Sequence, residues 1–314
     1  MLFRSEYVAG VDENNVEQVL EDIIKSGADI VFCVGPQMMP NSLKVAVEHP
    51  EVYILNCSLN APHPYIRTYY GRMYEAKFLA GMIAGAVTDN ERVAYIADYP
   101  IYGMIANINA FALGVASVNP RAKVYLAWSK TKDYDRDKFL EENDLHYVSD
   151  QDIITPNDAS RYFGLYKLQD GQALNLAMPI WNWGVFYEKL LQSVLAGSYK
   201  AEGQEQVKAL NYWWGMSAGV IDLICSKHVP YGVKRLADHL KSDITKGEVV
   251  PFFGQIYNQK GELKNKGEHE MKPSDIMKMD WLVDNVVGSI PPMSEFVDNA
   301  KTVVELKGVE ENKL

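Results

Sequence analysis

Cysteine and histidine are scarce in this sequence, and their spacing excludes two classes of protein. The chain has 3 cysteines among 314 residues. Cys33, Cys57 and Cys225 lie far apart in apolar, strand-like runs, a placement typical of buried free thiols rather than of disulfides. The 6 histidines are scattered, and neither H-x-x-x-H nor C-x-x-C occurs. No disulfide scaffold and no metal site is therefore predicted.

Long hydrophobic runs and an excess of positive charge are also missing. The longest apolar stretch, residues 78–87, is interrupted by glycines and is too short to cross a bilayer. The net charge of −10 opposes attraction to nucleic acids and to anionic membranes. The N-terminal residues MLFRSEYVAG lack the basic and apolar regions of a secretory signal. We therefore expect either an exported protein whose signal was removed or a protein that stays inside the cell.

Motifs for nucleotide cofactors are absent, since neither G-x-G-x-x-G nor a Walker A loop occurs. No cofactor is predicted. Asp133, Asp135 and Asp137 alternate like the first ligands of an EF-hand. That loop needs glycine at its sixth position and glutamate at its twelfth, where this chain has Lys138 and Asp144. A helix N-terminus, where carboxylates interact favourably with the helix dipole, is the better interpretation.

One motif suggests nucleophilic catalysis. Residues 215–219 match G-x-S-x-G, the nucleophile elbow of serine hydrolases, with Ser217 as the nucleophile. The elbow needs a helix directly after the serine, whereas residues 220–225 (VIDLIC) are β-branched and strand-like. A turn bounded by glycines is the preferred interpretation, and a serine hydrolase at Ser217 is the alternative.

Strand-like and helix-like patterns alternate along the chain, which predicts an α/β fold. The apolar run 29–34 predicts a strand covered on both faces, and residues 2–9 are also expected to form a strand. Residues 76–87 and 105–115 carry small and apolar residues at helical spacing, so each helix is expected to hide one face against a sheet. The alternation restarts near Arg92, which predicts two lobes with a cleft between them.

Aromatic, acidic and amide side chains follow several of the predicted strands. In open α/β sheets, ligands bind beyond the carboxyl ends of the strands. Aromatic faces receive flat or sugar-like ligands, and carboxylates accept hydrogen bonds from hydroxyl or ring N–H groups. The residues predicted to bind a small molecule are Tyr70, Arg72, Asp98, Tyr99, Tyr102, Asp150, Asp152, Trp181, Asn182 and Trp183, with Tyr69 as a further candidate. For each aromatic residue alone, packing in the core is the alternative.

Several motifs together resemble one family. YYGRMYEAKFLAG, VAYIADYPI, INAFALGVASVNP, DQDIITP, PIWNWGVFYEK, GEVVPFFG and MKMDWLVDNVVGSIP are similar, in content and order, to the basic membrane protein family, the PnrA-like substrate-binding proteins of ABC transporters. The resemblance implies a type I periplasmic-binding fold of two lobes, each a parallel sheet flanked by helices. It also implies a non-catalytic protein that binds a purine nucleoside or similar small molecule between the lobes and serves a transporter permease. Residues 98–100, 150–152 and 179–183 are implied to line that cleft.

The resemblance also implies how the chain is divided. Residues 1–90 are expected to form lobe I, residues 91–178 lobe II, and residues 179–314 the crossover back to lobe I with C-terminal segments. Family members usually have a strand upstream of the one that residues 2–9 resemble. Lobe I is therefore expected to be N-terminally incomplete, with strand 29–34 unpaired at the resulting gap.

Two departures from the family pattern leave alternatives open. Nucleoside receptors tend to carry a lysine at the crossover, where this chain has Trp181, Asn182 and Trp183. A lipoprotein signal is not visible at the N-terminus. The protein is expected to be extracytoplasmic and membrane-anchored if a signal was removed, and the alternative is a cytoplasmic ligand-sensing regulatory domain of the same fold.

Overall fold

The computed structural model describes residues 4–59, 63–150, 162–197 and 212–309. The chain divides into two compact units. The smaller unit lies within Met1–Tyr70 and Ser193–Trp213, and the larger unit within Gly71–Gln192 and Trp214–Leu314. These bounds differ from the ranges 1–90, 91–178 and 179–314, which remain a prediction for the lobes. No helix among the described residues has the length and apolar character needed to span a bilayer.

The smaller unit is a short parallel sheet with two helices. Its elements are α1 (Val16–Lys25), β1 (Ile30–Cys33), α2 (Met39–Glu48), β2 (Tyr53–Cys57), β3 (Ile66–Gly71) and β9 (Tyr212–Trp214). The last residues of β3 and β9, Gly71 and Trp214, belong to the larger unit. The strand order is β1-β2-β3-β9, and β1, β2 and β3 run parallel. Val16 and Leu20 of α1 are buried together with Val45 of α2 and Ile54 of β2, because apolar residues at helical spacing form one face.

The strand expected at residues 2–9 is wrong for residues 4–9, the part that the structure describes. These residues form no strand, and Tyr7 is 87% exposed. An alternating sequence does not hold a strand by itself, because the backbone groups must pair with a neighbouring strand. The predicted strand 29–34 is confirmed as β1, which stands at one end of the described strand order. Its expected cover on both faces is wrong, since Cys33 is the one buried residue of the four in β1.

The remaining elements belong mainly to the larger unit. The helices are α3 (Met73–Val87), α4 (Met104–Val118), α5 (Arg136–Glu142), α6 (Trp183–Leu195), α7 (Tyr231–Lys246), α8 (Pro273–Met277) and α9 (Asp298–Lys307). The strands are β4 (Arg92–Ala97), β5 (Lys123–Trp128), β6 (Tyr147–Ser149), β7 (Leu165–Gln169), β8 (Gln172–Trp181), β10 (Ile221–Cys225), β11 (Gln255–Tyr257), β12 (Leu263–Lys266) and β13 (Val286–Val287). The main sheet has the order β10-β8-β7-β6-β4-β5-β13, and β11 pairs with β12.

The main sheet is parallel at one end and antiparallel at the other. Strands β6, β4, β5 and β13 run parallel, whereas β7, β8 and β10 pair antiparallel. The predicted α/β class is confirmed. Strands β7 and β8 form a tight hairpin. Asp170 and Gly171 alone connect them, and both residues have positive φ. A two-residue turn of this kind joins antiparallel strands and leaves no room for a crossover helix.

Helices α3 and α4 pack directly on each other through glycines. A Cβ atom at Gly81 would overlap the carbonyl oxygen of Phe111, and one at Gly114 would overlap that of Phe78. Glycine therefore permits the close approach of the two backbones. Helix α3 is buried at every position from Met73 to Gly85, so the prediction of a single buried face is wrong for this helix.

The G-x-S-x-G sequence forms a turn and not an elbow. Met216–Ala218 is one turn of 3₁₀ helix, and it leads into strand β10. The strand predicted at this point is confirmed, and the helix that an elbow needs is absent from it. Only Cys33 is buried among the three cysteines, since Cys57 and Cys225 are partly exposed. The buried-thiol prediction is correct for Cys33 alone.

Candidate functional site

The residues predicted to bind a ligand lie mostly at partly exposed positions. Asp152 lies outside the described residues. The other nine, Tyr70, Arg72, Asp98, Tyr99, Tyr102, Asp150, Trp181, Asn182 and Trp183, are neither fully buried nor fully exposed. Tyr69 is 0% exposed and packs edge-on against Phe32, with ring centroids 6.0 Å apart. Tyr69 is therefore a core residue, as its alternative interpretation proposed.

Two predicted carboxylates follow neighbouring strands of the main sheet. Strand β4 ends at Ala97, directly before Asp98, and β6 ends at Ser149, directly before Asp150. The two strands are parallel neighbours, with Tyr95 opposite Ser149. Because the carboxyl ends of parallel neighbours meet at one edge of the sheet, Asp98 and Asp150 emerge at the same edge.

Asp150 is held by a tyrosine and an arginine. The Tyr166 hydroxyl donates to Asp150 Oδ2 at 2.9 Å and accepts from Arg136 Nη2 at 2.9 Å. Arg136 Nε lies 3.9 Å from the same carboxylate oxygen, and the Asp150 side chain is only 10% exposed. Burial, followed by the negative charge of Asp150, raises the pKa of Tyr166. The phenol therefore stays protonated and remains a donor to the carboxylate.

A second tyrosine lies within electrostatic reach of both carboxylates. Burial raises the pKa of Tyr134, and the charge of Asp150 and, less strongly, of Asp98 adds to this effect. The hydroxyl of Ser129 donates to Asp98 Oδ1. We call Asp98, Ser129, Tyr134, Arg136, Asp150 and Tyr166 the carboxylate cluster. It offers acidic acceptors whose positions are set by neutral donors and one guanidinium.

Arg136 also supports an aromatic ring beside the cluster. Its guanidinium carbon lies 4.1 Å from the ring centroid of Tyr162, in cation–π geometry. Tyr162 is 37% exposed and meets Tyr166 edge-on at 5.6 Å. The carboxylate cluster therefore lies next to a partly exposed aromatic ring.

Two predicted residues, Trp181 and Trp183, belong to an aromatic wall. We define this wall as Trp181, Trp183, Phe186, Tyr187 and Trp214, and the last three were not predicted. The rings of Trp181 and Trp183 are stacked, with centroids 5.1 Å apart and an interplanar angle of 5°. Tyr187, one helical turn further, stacks on Trp183 at 6.2 Å and 27°. Phe186 packs behind them, 5.8 Å from Trp183 and 5.0 Å from Trp214.

Asn182 holds the point where β8 passes into α6. Its backbone N–H donates to the carbonyl of Val220 at 2.7 Å, and its side-chain amide donates to the carbonyl of Gly219 at 3.0 Å. These bonds fix the short connection that separates Trp181 from Trp183. These bonds leave the ligand contact predicted for Asn182 untested, and it stays a prediction.

The other predicted residues take separate places. Arg72 precedes α3, where its N–H donates to the Trp214 carbonyl at 2.8 Å. Tyr99 packs against an apolar cluster that includes Phe296, which agrees with its alternative role in the core. Tyr102 lies in the turn before α4, and Tyr70 belongs to β3 of the smaller unit.

Sequence reasoning missed Ser129, Tyr134, Arg136 and Tyr166. Arg136 stands between two aspartates that were interpreted as a helix N-terminus, and this interpretation is confirmed, since Asp135 Oδ1 accepts from the Lys138 N–H at 3.0 Å. The sequence therefore predicted that Arg136 lies at the start of α5. It did not predict the contact with Tyr166, which is 30 residues away in the chain. Within the described residues, no group of three or more histidine, cysteine, aspartate or glutamate side chains is arranged to hold a metal ion.

Two relatives of known name are similar in sequence to this chain, and their names give different ligands. The chain is 26% identical to a purine-binding protein of Brucella abortus over 290 residues, 88% of this chain and 81% of the relative. It is 28% identical to a putative ABC transporter glucose-binding protein of Haloferax volcanii over 229 residues, 69% of this chain and 56% of that relative.

Solved structures with the same fold have low sequence identity. A solute-binding protein of an ABC transporter from Conexibacter woesei has a TM-score of 0.54 at 18% identity, covering 76% of this chain and 84% of that one. A transcriptional activator of the comK gene from Bacillus halodurans has a TM-score of 0.58 at 13% identity, covering 77% and 87%. A family model, described as ABC transporter substrate-binding protein PnrA-like, matches residues 3–160. With half of its length matched, the chain belongs to the PnrA-like family of ABC transporter substrate-binding proteins.

Proposed function

We propose that this protein binds a purine base or purine nucleoside and delivers it to the membrane permease of an ABC transporter. The observation that carries the proposal is the stacked pair Trp181 and Trp183. Both residues are partly exposed, and their ring planes are within 5° of parallel. Flat aromatic ligands bind such surfaces by offset stacking. A purine is the flat heteroaromatic ligand class that the family relationship favours.

The carboxylate cluster supplies the polar half of the proposed recognition. Purine ring N–H groups, exocyclic amines and ribose hydroxyls are hydrogen-bond donors, and ionised carboxylates are acceptors only. Asp98 and Asp150 emerge at one sheet edge, and neighbouring hydroxyls from Ser129 and Tyr166 donate to them. A carboxylate whose position is already fixed loses less freedom on binding. We propose Asp98 and Asp150 as acceptors for the ligand, with Asp152 as a third.

The remaining predicted residues have supporting roles in this proposal. Arg72 and Asn182 keep the strands behind the aromatic wall in place, and Tyr70, Tyr99 and Tyr102 stay predicted ligand contacts. The name of the Brucella relative supports a purine as ligand, and the name of the Haloferax relative makes a hexose the competing ligand. The protein is proposed to act outside the cytoplasm, held at the membrane by a lipid anchor, and without catalysis.

Thermal unfolding and calorimetry with adenine, adenosine, guanosine, inosine, xanthosine and glucose test this proposal. A ligand present at 100 times its dissociation constant stabilises the folded protein by about 2.7 kcal/mol. We expect a raised melting temperature and a heat of binding with at least one purine and none with glucose. Binding of glucose without any purine would replace the ligand class, and no response to any of them would reject the proposal.

A further inference from the structure

Glu75 is a buried carboxylate to which the proposed ligand contacts give no role. It lies in the first turn of α3 and is 6% exposed. Its Oε2 accepts a hydrogen bond from the Met216 N–H at 2.7 Å, and its Oε1 lies 3.5 Å from Arg72 Nη1. The two oxygens of one carboxylate thus tie the start of α3 to the turn that follows β9.

The glycine of the G-x-S-x-G sequence is explained by this carboxylate. A Cβ atom at Gly215 would overlap Glu75 Oε2, so any other residue would push the carboxylate away from the Met216 N–H. Gly219 closes the same turn with φ of +74°, a conformation that glycine adopts without strain. Both glycines therefore serve a turn that receives a carboxylate, whereas a nucleophile elbow would use them to expose a serine.

The turn held by Glu75 carries part of the aromatic wall. Trp214 immediately precedes Gly215, and its carbonyl accepts from the Arg72 N–H at 2.8 Å. The Trp214 ring lies 5.0 Å from Phe186, and Phe186 lies 5.8 Å from Trp183. A shift of the turn at Gly215 is therefore passed to the stacked tryptophans through two ring contacts.

Packing alone does not account for a carboxylate at this position. Burying an ionised carboxylate costs free energy that a similarly sized apolar side chain would not cost. Burial raises the pKa of Glu75, although the Met216 N–H and Arg72 oppose this effect. A group that is costly to bury and is placed on one defined N–H is suited to fixing a single arrangement of the turn.

We infer that Glu75 is a positioning residue, which sets the aromatic wall by holding the Gly215–Met216 backbone. The consequence for ligand affinity rests on the proposed function, but the positioning of the rings does not. Glutamine at position 75 keeps an acceptor oxygen for the Met216 N–H. Leucine has a similar volume and keeps no acceptor.

The test compares Glu75→Gln and Glu75→Leu with the exposed control Glu188→Gln on α6. Closely stacked tryptophans give an exciton couplet in the circular dichroism spectrum, and this signal is measured without ligand. We expect Glu75→Leu to lose the couplet of the wild type and to bind the purine at least about tenfold more weakly, the effect of one lost buried hydrogen bond. We expect Glu75→Gln and Glu188→Gln to keep both the couplet and an affinity within about threefold of the wild type.

Gly215→Ala provides a second route if Glu75→Leu fails to fold. Its Cβ displaces the carboxylate without removing it, so we expect it to weaken the couplet in the same direction. A folded Glu75→Leu or Gly215→Ala protein with the couplet of the wild type would overturn the inference. Equal loss in Glu75→Gln would also overturn it, because the acceptor would then not be the property that matters. Loss of the couplet in a protein that binds no purine would support Glu75 as positioning residue while rejecting the proposed ligand.

Discussion

Trp181 and Trp183 lie face to face, with ring centroids 5.1 Å apart and an angle of 5° between the ring planes. They are two residues apart in sequence, one at the end of β8 and the other at the start of α6. Side chains in a continuous strand would also share a face at this spacing, but the passage into the helix and the bonds of Asn182 bring these rings parallel. Their planes are closer to parallel than those of Trp183 and Tyr187, which differ by 27°.

Replacing Trp183 is expected to weaken purine binding. Trp183→Ala removes one ring of the stacked pair and should reduce the binding free energy by about 1–3 kcal/mol, the range for stacking of a base on an aromatic side chain. Trp183→Phe keeps a flat ring and should retain most of the affinity. Calorimetric titration of both variants measures the difference. Equal affinities of Trp183→Ala and the wild type would exclude this ring as a ligand contact.

Removing the Asp98 carboxylate is expected to weaken binding without destabilising the fold. Asp98→Ala should lower the binding free energy by about 1.5–3 kcal/mol, the range for hydrogen bonds to a charged group. Asp98 is partly exposed, so the melting temperature of the Asp98→Ala protein should change little. Ser129→Ala, which removes the donor to Asp98, is the matched variant and should have a smaller effect. Unaltered affinity in Asp98→Ala would show that this strand end does not bind the ligand.

Arg136 is expected to matter for both stability and binding. Arg136→Met removes the donor to Tyr166 and the cation stacked on Tyr162, and it leaves Asp150 without its guanidinium neighbour. A buried charge deprived of its partner is strongly destabilising, so we expect a lower melting temperature and weaker purine binding. The exposed neighbour Lys138→Met serves as control. A variant at position 136 as stable as this control would contradict the account of the carboxylate cluster.

The stability of the smaller unit is expected to depend on pH through His49 and Glu21. His49 Nε2 and Glu21 Oε1 are 2.9 Å apart. Glu21 raises the pKa of His49 above its ordinary 6.5, and His49 lowers the pKa of Glu21 below 4.5.

The raised pKa of His49 and the lowered pKa of Glu21 make the pair stabilising between the two titrations. The contribution of His49 is present below its unfolded pKa and is lost as the pH rises through its folded pKa. The contribution of Glu21 is present above its unfolded pKa and is lost as the pH falls through its folded pKa. Chemical unfolding of the wild type and of His49→Gln is measured from about pH 3 to about pH 9, a range that brackets both titrations. The free energies of unfolding of the two proteins should differ most near about pH 5 to 6. A constant difference across that range would refute the pairing.

Ser217 is expected to be chemically inert. It is exposed on a 3₁₀ turn that leads into a strand, so it lacks the elbow helix that activates such a serine. A fluorophosphonate probe should leave the protein unlabelled, while a known serine hydrolase in the same reaction is labelled. Stoichiometric labelling that Ser217→Ala abolishes would restore the hydrolase alternative.

Sequence periodicity determined the main secondary structure and the α/β class. Strand β1 lies in the apolar run 29–34 that predicted it, because β-branched and aromatic residues favour strands. The end of β4 at Ala97 also located Asp98 at a sheet edge. The absence of an elbow helix after Ser217 was readable for the same reason, since the β-branched run that follows the motif favours a strand.

Tertiary structure decided which of these residues meet. Arg136 contacts Tyr166 across 30 positions of the chain, and Glu75 contacts Met216 across 141. No local pattern encodes a contact between such distant residues. Residues 4–9 show the reverse case, in which a strand-like sequence forms no strand with any of the described residues. The sequence by itself determined the α/β class and the positions of elements such as β1 and β10, because hydrophobic spacing is local. The arrangement of carboxylates, donors and rings was decided only by packing, because each buried polar group needs a partner that the fold must supply.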